Sequence, residues 1–257
     1  MKIAQTVTTV APAQNCSGLA RGCTFKTRVT VTHVSGQEHP VYSCEGTPTD
    51  CVRVALMSGI ATRVDVVVSG INHGANLGDD VNYSGTVAAG LEARLLGVSA
   101  LCVSQQSPTG SFAFNDESNA ANELGYDFTQ SAPAAAAFAR IVAAARPTQP
   151  LVLNVNFPAR SAAPITDLTR LAKRSYALGS LEPAFAQGST RQYYVFGRPD
   201  DPHSSEFEAL PGTDVAALLL GHVSITPLSL DARTVGELPE DQQSMSALIE
   251  RLAICGG

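Results

Sequence analysis

The stretch "VDVVVSGINHGANLGDDVNYSGTVAAGLEARLLGVSALCVS", residues 64–104, decides the fold. Its first seven residues are nearly continuous valine, the pattern of a strand buried on both faces of a parallel sheet. Residues 85–97 then carry Val87, Leu91 and Leu95 at helical spacing and stop on Gly97. Residues 99–104, SALCVS, read as a second buried strand. Strand, loop, helix and strand make a βαβ unit, so the chain is an α/β protein with a parallel central sheet.

The flanks agree with that class. Residues 6–12, TVTTVAP, form a strand ended by Pro12, and residues 24–34 alternate as an exposed or edge strand does. A short strand near residue 41 leads into a helix. Thr49 or Asp50 is its expected N-cap, and Val52, Ala55, Leu56 and Ile60 lie on one face. Residues 105–128 are polar and irregular, a surface insertion that serves as a lid or as a plain loop. An alanine-rich helix over 132–145 has Pro133 in its first turn, and LVLNVNFP at 151–158 is another strand. Beyond about residue 160 the texture changes to short strands and turns. Residues 212–231 read as a helix, a glycine turn and a terminal strand, and 245–253 as an amphipathic helix. The expected division is a core over 1–160, with 161–257 completing it and adding an extension.

Composition narrows the function. The chain has 257 residues, 44% of them hydrophobic, enough for the core of one large α/β domain. A formal charge of -6 opposes a nucleic-acid polymer, and the absence of Trp argues against a base-stacking track for single strands. A small anion in a local pocket stays compatible with that charge. The six cysteines form no C-x-x-C, which argues for reduced thiols in a cytoplasmic protein. No apolar run approaches the roughly 20 residues of a membrane span, and the N-terminus lacks the apolar core of a signal peptide.

The loop between strand and helix, residues 69–86, sits where open α/β sheets bind ligands. Glycines permit close backbone approach, and the following helix N-terminus favours an anion. Ser84, Gly85 and Thr86 at that terminus could hold a phosphate, or simply cap the helix. Asn72 is a possible hard-metal ligand or a turn former. Asn76 has the same two readings, with a phosphoryl oxygen in place of the metal. Asp79 and Asp80 could bind a divalent cation, but as loop residues they are expected to face solvent. The five histidines show no ligand spacing. Neither a G-x-G-x-x-G fingerprint nor a Walker A lysine is present, which excludes an ordinary dinucleotide site and an NTPase loop.

Residues 64–97 resemble the signature of the SurE (survival protein E) family. Four other segments are similar to family motifs in the same order: VAPAQNCSG, GTPTDCV, LNVNFP and PGTDVAALLLGHVSITPL. The resemblance runs from about residue 7 to residue 228. It implies a Rossmann-like three-layer α/β domain with a C-terminal β-rich and helical extension that builds a homodimer or homotetramer. It implies hydrolysis of nucleoside 5′- or 3′-monophosphates with one divalent cation, Mg2+ or Mn2+. The family's metal is held by two adjacent aspartates, a serine corresponding to Ser17 and an asparagine corresponding to Asn72. Its phosphate side falls on Asn76, Ser84, Gly85 and Thr86, with Asn76, Ser84 and Thr86 as the catalytic candidates. The aspartates belong to an N-D-D-G motif on a strand that precedes V-A-P, and this sequence starts almost at V-A-P. A strand and helix of roughly 20 residues are therefore expected to be lacking, through a start upstream of Met1 or through degeneration, the intact loop favouring the former. With only neutral ligands, weak metal binding and little turnover are expected. The rival is a non-catalytic nucleotide- or phosphate-binding relative, or a subunit that contributes an oligomer surface.

Overall fold

The computed structural model of the chain describes residues 6–110, 125–159, 165–174, 183–193, 195 and 207–229. The elements in order are β1 (Thr9–Pro12), β2 (Val31–Val34), β3 (Val41–Cys44), α1 (Pro48–Met57), β4 (Val67–His73), a 3-10 helix (Gly78–Tyr83), α2 (Gly85–Leu95), β5 (Ala100–Gln105), α3 (Ser131–Ala145) and β6 (Val152–Phe157). Then follow β7 (Thr166–Leu168), β8 (Lys173–Arg174), β9 (Pro183–Gln187), β10 (Thr190–Tyr193), β11 (Phe207–Glu208), α4 (Asp214–Leu219) and β12 (Val223–Leu228). The helix expected at 245–253 lies outside the described residues.

The main sheet has the order β4-β5-β6-β12-β7, and a separate three-stranded sheet has the order β1-β3-β2. The β4, β5 and β6 ladders are parallel, as the βαβ reading requires, and β12 adds antiparallel to β6. Every residue of β5 and β6 is buried. The two faces of these strands serve different layers. Leu101, Val103, Leu153 and Val155 pack against Phe138 and Val142 of α3. Ala100, Cys102 and Val152 pack on the opposite side, where Val87, Ala89 and Ala93 of α2 lie. Gly90 lets α2 settle this close, since a β-carbon there would sit 2.2 Å from Cys102 Sγ.

Four expectations change. The N-cap of α1 is Thr47, not Thr49 or Asp50. Pro48 suits the first helical turn, so the cap falls on the residue before it, and Asp50 at the third position closes a capping box with Thr47. The valine run is not buried on both faces. β4 is an edge strand and Val68 is 46% exposed, because β1 and β4 fall in separate sheets with no ladder between them. The long exposed strand at 24–34 shortens to the four residues of β2. The start of the 105–128 insertion is not surface, since Gln105, Gln106 and Ser107 are buried. Residues 111–124 lie outside the described part.

Candidate functional site

The site is assembled where β1 and β4 end and α2 begins. Asn72, next to last in β4, accepts the hydroxyl hydrogen of Thr86 at 3.2 Å through Oδ1. Its amide nitrogen donates to the carbonyls of His73 and Gly74 at 3.1 and 2.8 Å, so the side chain is locked across its own turn. Ser84 is the N-cap of α2, and its Oγ accepts the N–H of Val87 at 3.1 Å. The capping reading of Ser84 is therefore realised in the fold. Gly85 is wedged, since a β-carbon there would lie 3.0 Å from Pro48 Cγ and 3.6 Å from the Cys16 carbonyl oxygen. That contact brings the loop after β1 onto the first turn of α2. Within the loop, Ser17 donates both its N–H (2.9 Å) and its hydroxyl (2.6 Å) to Asn15 Oδ1. Ala20 N–H donates to the Tyr83 carbonyl at 3.2 Å, pinning the loop beside Ser84.

Asn76 plays a different part. It is buried, and its N–H donates to Asn156 Oδ1 at 2.8 Å. Its amide nitrogen donates to Ser104 Oγ at 2.7 Å. Its carbonyl accepts from the amides of Asn154 and Asn156 at 2.8 and 3.0 Å. These bonds fasten the Gly-rich loop to the carboxyl ends of β5 and β6. Gly78 N–H is held in turn by Asp214 Oδ2 at 2.8 Å, while Asp214 Oδ1 accepts from Ala172 and Val215.

Asp80 does not face solvent as expected, and Asp79 is half-buried. Asp80 is buried and ion-paired with the Arg174 guanidinium, and Asp79 Oδ2 accepts the Arg174 backbone N–H at 2.9 Å. Burial outweighs Arg174 and raises the Asp80 carboxyl above its ordinary range. These carboxylates join the 3-10 helix to β8. These tethers bury the middle of the loop, with Asn76, Leu77, Asp80 and Val81 all enclosed.

Ser104, Asn154, Asn156, Asp214 and Arg174 were not singled out by residue-level reasoning. A signal existed in LVLNVNFP, where two asparagines alternate with apolar residues and therefore share one face of a strand.

The implied divalent cation does not fit the residues described. Ser17 and Asn72 offer neutral oxygens, whereas Mg2+ and Mn2+ take hard oxygen donors with carboxylates among them. Among the described residues no group of three His, Cys, Asp or Glu could hold a metal ion. The five described cysteines are free thiols. A cavity of about 610 Å³ lined by Asp167, Thr169, Pro211, Thr213, Ala216 and Leu220 belongs to β7 and α4, at the opposite edge of the main sheet from β4. Among the described residues no helix is long and apolar enough to cross a membrane.

Comparison with known proteins bears on this geometry. The family described as "Survival protein SurE" matches residues 1–178. A protein of Pelobacter propionicus named 5′-nucleotidase SurE is 37% identical over 233 residues, covering 90% of this chain and 85% of that protein. A 5′-nucleotidase SurE of Legionella pneumophila is 39% identical over 230 residues, covering 88% and 81%. The crystal structure of the SurE protein from Aquifex aeolicus superposes with a TM-score of 0.66 at 28% identity, covering 93% of this chain and 87% of that one. The loop that leaves β4, the capped start of α2 and the asparagine pair of β6 are thus set in a chain that belongs to the SurE family of nucleotidases.

Proposed function

We propose that this chain binds the phosphate of a nucleoside 5′- or 3′-monophosphate at the start of α2 and belongs to a phosphomonoester hydrolase. One observation carries the reading: Asn72, Thr86 and the Ser17 loop converge on a helix N-terminus whose first turn holds no acidic residue. Backbone N–H groups there favour an anion, and the Thr86 hydroxyl adds a donor once it turns from Asn72 to a phosphoryl oxygen. Ser84 holds the turn by its cap, and Asn76 fixes the loop behind it. The names of the SurE relatives support hydrolysis as the outcome.

Turnover by the residues described is low in this reading. A divalent cation would supply charge stabilisation at the phosphoryl group, but two neutral oxygens hold such a cation weakly. The companion reading, a nucleotide-binding protein without catalysis, rests on the same observation. Calorimetry with inorganic phosphate and AMP, together with phosphate release from AMP with and without Mn2+, tests both. Saturable binding is expected, weakened about tenfold in Thr86→Val through loss of a hydrogen bond to a charged group. Absence of phosphate binding would sink the site. Release at rates ordinary for nucleotidases would overturn the low turnover. Binding without release, unchanged by Mn2+, favours the non-catalytic reading.

A further inference from the structure

The 3-10 helix that leads into α2 is seated on residues from far along the chain. Gly78, its first residue, lies so close to that seat that a β-carbon there would sit 2.6 Å from the Ala172 carbonyl oxygen and 2.9 Å from Phe207 Cε1. Its N–H is taken by Asp214, which also holds the Ala172 N–H. Two residues on, Asp80 is ion-paired with Arg174 of β8. The Arg174 guanidinium lies over the ring of Phe207, 5.5 Å from its centroid, and Phe207 is its cross-strand partner in β11. Residues 172–174, 207 and 214 thus form the seat, all of them beyond β6.

Both members of the ion pair are buried, Asp80 at 4% exposure and Arg174 at 8%. The second Asp80 oxygen meets no hydrogen-bond donor, so among the described residues Arg174 carries the compensation of this charge. Asp79 adds a like charge beside it, although its own Oδ2 accepts the Arg174 N–H at 2.9 Å. Such a pair is a poor source of stability. Taking two charges out of water offsets most of their attraction, and apolar residues of similar volume do as well. What the pair supplies is one permitted geometry, since any other placement leaves a buried charge unpaired.

That geometry is handed on to α2. The Ser84 N–H donates to the carbonyl of Val81, the residue after Asp80, at 3.3 Å. Ser84 then caps the helix through the Val87 N–H, and its carbonyl accepts the Ala88 N–H at 2.9 Å. The Ser17 loop takes its register from the same turn, through the bond from Ala20 N–H to the Tyr83 carbonyl.

We propose that Asp80, acting through Arg174, is a positioning residue that fixes the first turn of α2 and thereby the affinity of that turn for a phosphate group. The role is exercised through the backbone of the 3-10 helix, not by contact with the phosphate. The proposal rests on the phosphate reading for its ligand, but the placement of the turn is measurable without one.

The test compares wild type with Asp80→Leu/Arg174→Met, which replaces the pair by apolar side chains, and with Arg174→Lys, which keeps the charge and loses the planar fork. Thermal melts report stability, and calorimetry with inorganic phosphate reports the site. Hydrogen exchange at the amides of Ser84, Val87 and Ala88 reports the turn. The double variant is expected to melt close to wild type, to bind phosphate about tenfold more weakly and to exchange those three amides faster, with the β5 amides unchanged. Arg174→Lys shows the same changes at smaller size, and it decides by the same readouts if the double variant does not fold. Unchanged phosphate affinity in a folded variant, or unchanged exchange at the three amides, overturns the positioning role. Exchange that quickens equally throughout β5 overturns it as well, since the pair would then only stabilise the fold. If wild type binds no phosphate, the phosphate reading fails, and exchange at the three amides alone decides whether Asp80 places the turn.

Discussion

Asp50 concentrates several roles in one carboxylate. Its oxygens accept the N–H and hydroxyl of Thr24 and the N–H of Thr47, which joins the loop after β1 to the start of α1. Burial raises its pKa, but the bonds from Thr24 and Thr47 together prevail and hold the carboxyl below its ordinary value of 3.8. A depressed carboxyl stabilises the folded state above the unfolded pKa, and that contribution is lost as pH falls through the lowered value. Asp50→Asn is therefore expected to cost about 1–2 kcal/mol at pH 7. Its deficit relative to wild type shrinks as the pH is lowered through the acid range. Urea melts at a series of pH values measure this, and a deficit that grows on acidification contradicts it. At Cys102, enclosed under α2, burial outweighs a hydrogen bond with the Gly90 backbone and pushes the thiol up to about 12, so it is inert at neutral pH.

The βαβ unit was legible in the sequence because valine runs and helical spacing report burial directly. The cap of α1 was misplaced by two to three residues, since Thr47, Thr49 and Asp50 all have cap chemistry and only the position of Pro48 separates them. Thr86 and Asn72 stood out in the sequence from their place around the end of a strand, and the fold brings the two into contact. The support beneath them did not stand out, because Asn76 is 78 and 80 residues from Asn154 and Asn156 and meets them only across the folded sheet. Asp79 and Asp80 misled for a related reason. An acidic pair in a polar loop looks solvated, and Arg174, which ion-pairs with the buried Asp80, is 94 residues from it in sequence. Packing at α2 gives a sharp prediction. Gly90→Ala places a β-carbon 2.2 Å from Cys102 Sγ, so helix and strand must separate. A loss of about 1–3 kcal/mol is expected by thermal melting, overriding the better helix propensity of alanine. The double variant with Cys102→Ala recovers part of it if the clash is the cause.

The whole molecule is held together unevenly. The main sheet is continuous through β4, β5, β6, β12 and β7, but β1, β3 and β2 form their own sheet. What joins them is side-chain and loop contact rather than a ladder. Glu92 of α2 is buried and meets Arg53 of α1 at 2.6 Å and Arg21 of the loop at 3.5 Å, and Gly85 rests against Pro48 and Cys16. Among the described residues, β1 and β4 each stand at the edge of a sheet. Thr9 and Ala13 spend their N–H groups on Pro40 and Cys44, and Val67 spends its own on Ser99. Strand alternation then turns the peptide groups of Val10 and Val68 away from their sheets. Seen as cooperativity, a fold joined across such a seam behaves as two coupled units with different opening free energies. Amides of β1 and β3 are expected to exchange with solvent well before those of β5 and β6, and Glu92→Gln should widen that gap without speeding the β5 amides. A single common exchange rate for both sheets at low denaturant would show instead that the seam transmits stability as fully as a ladder does.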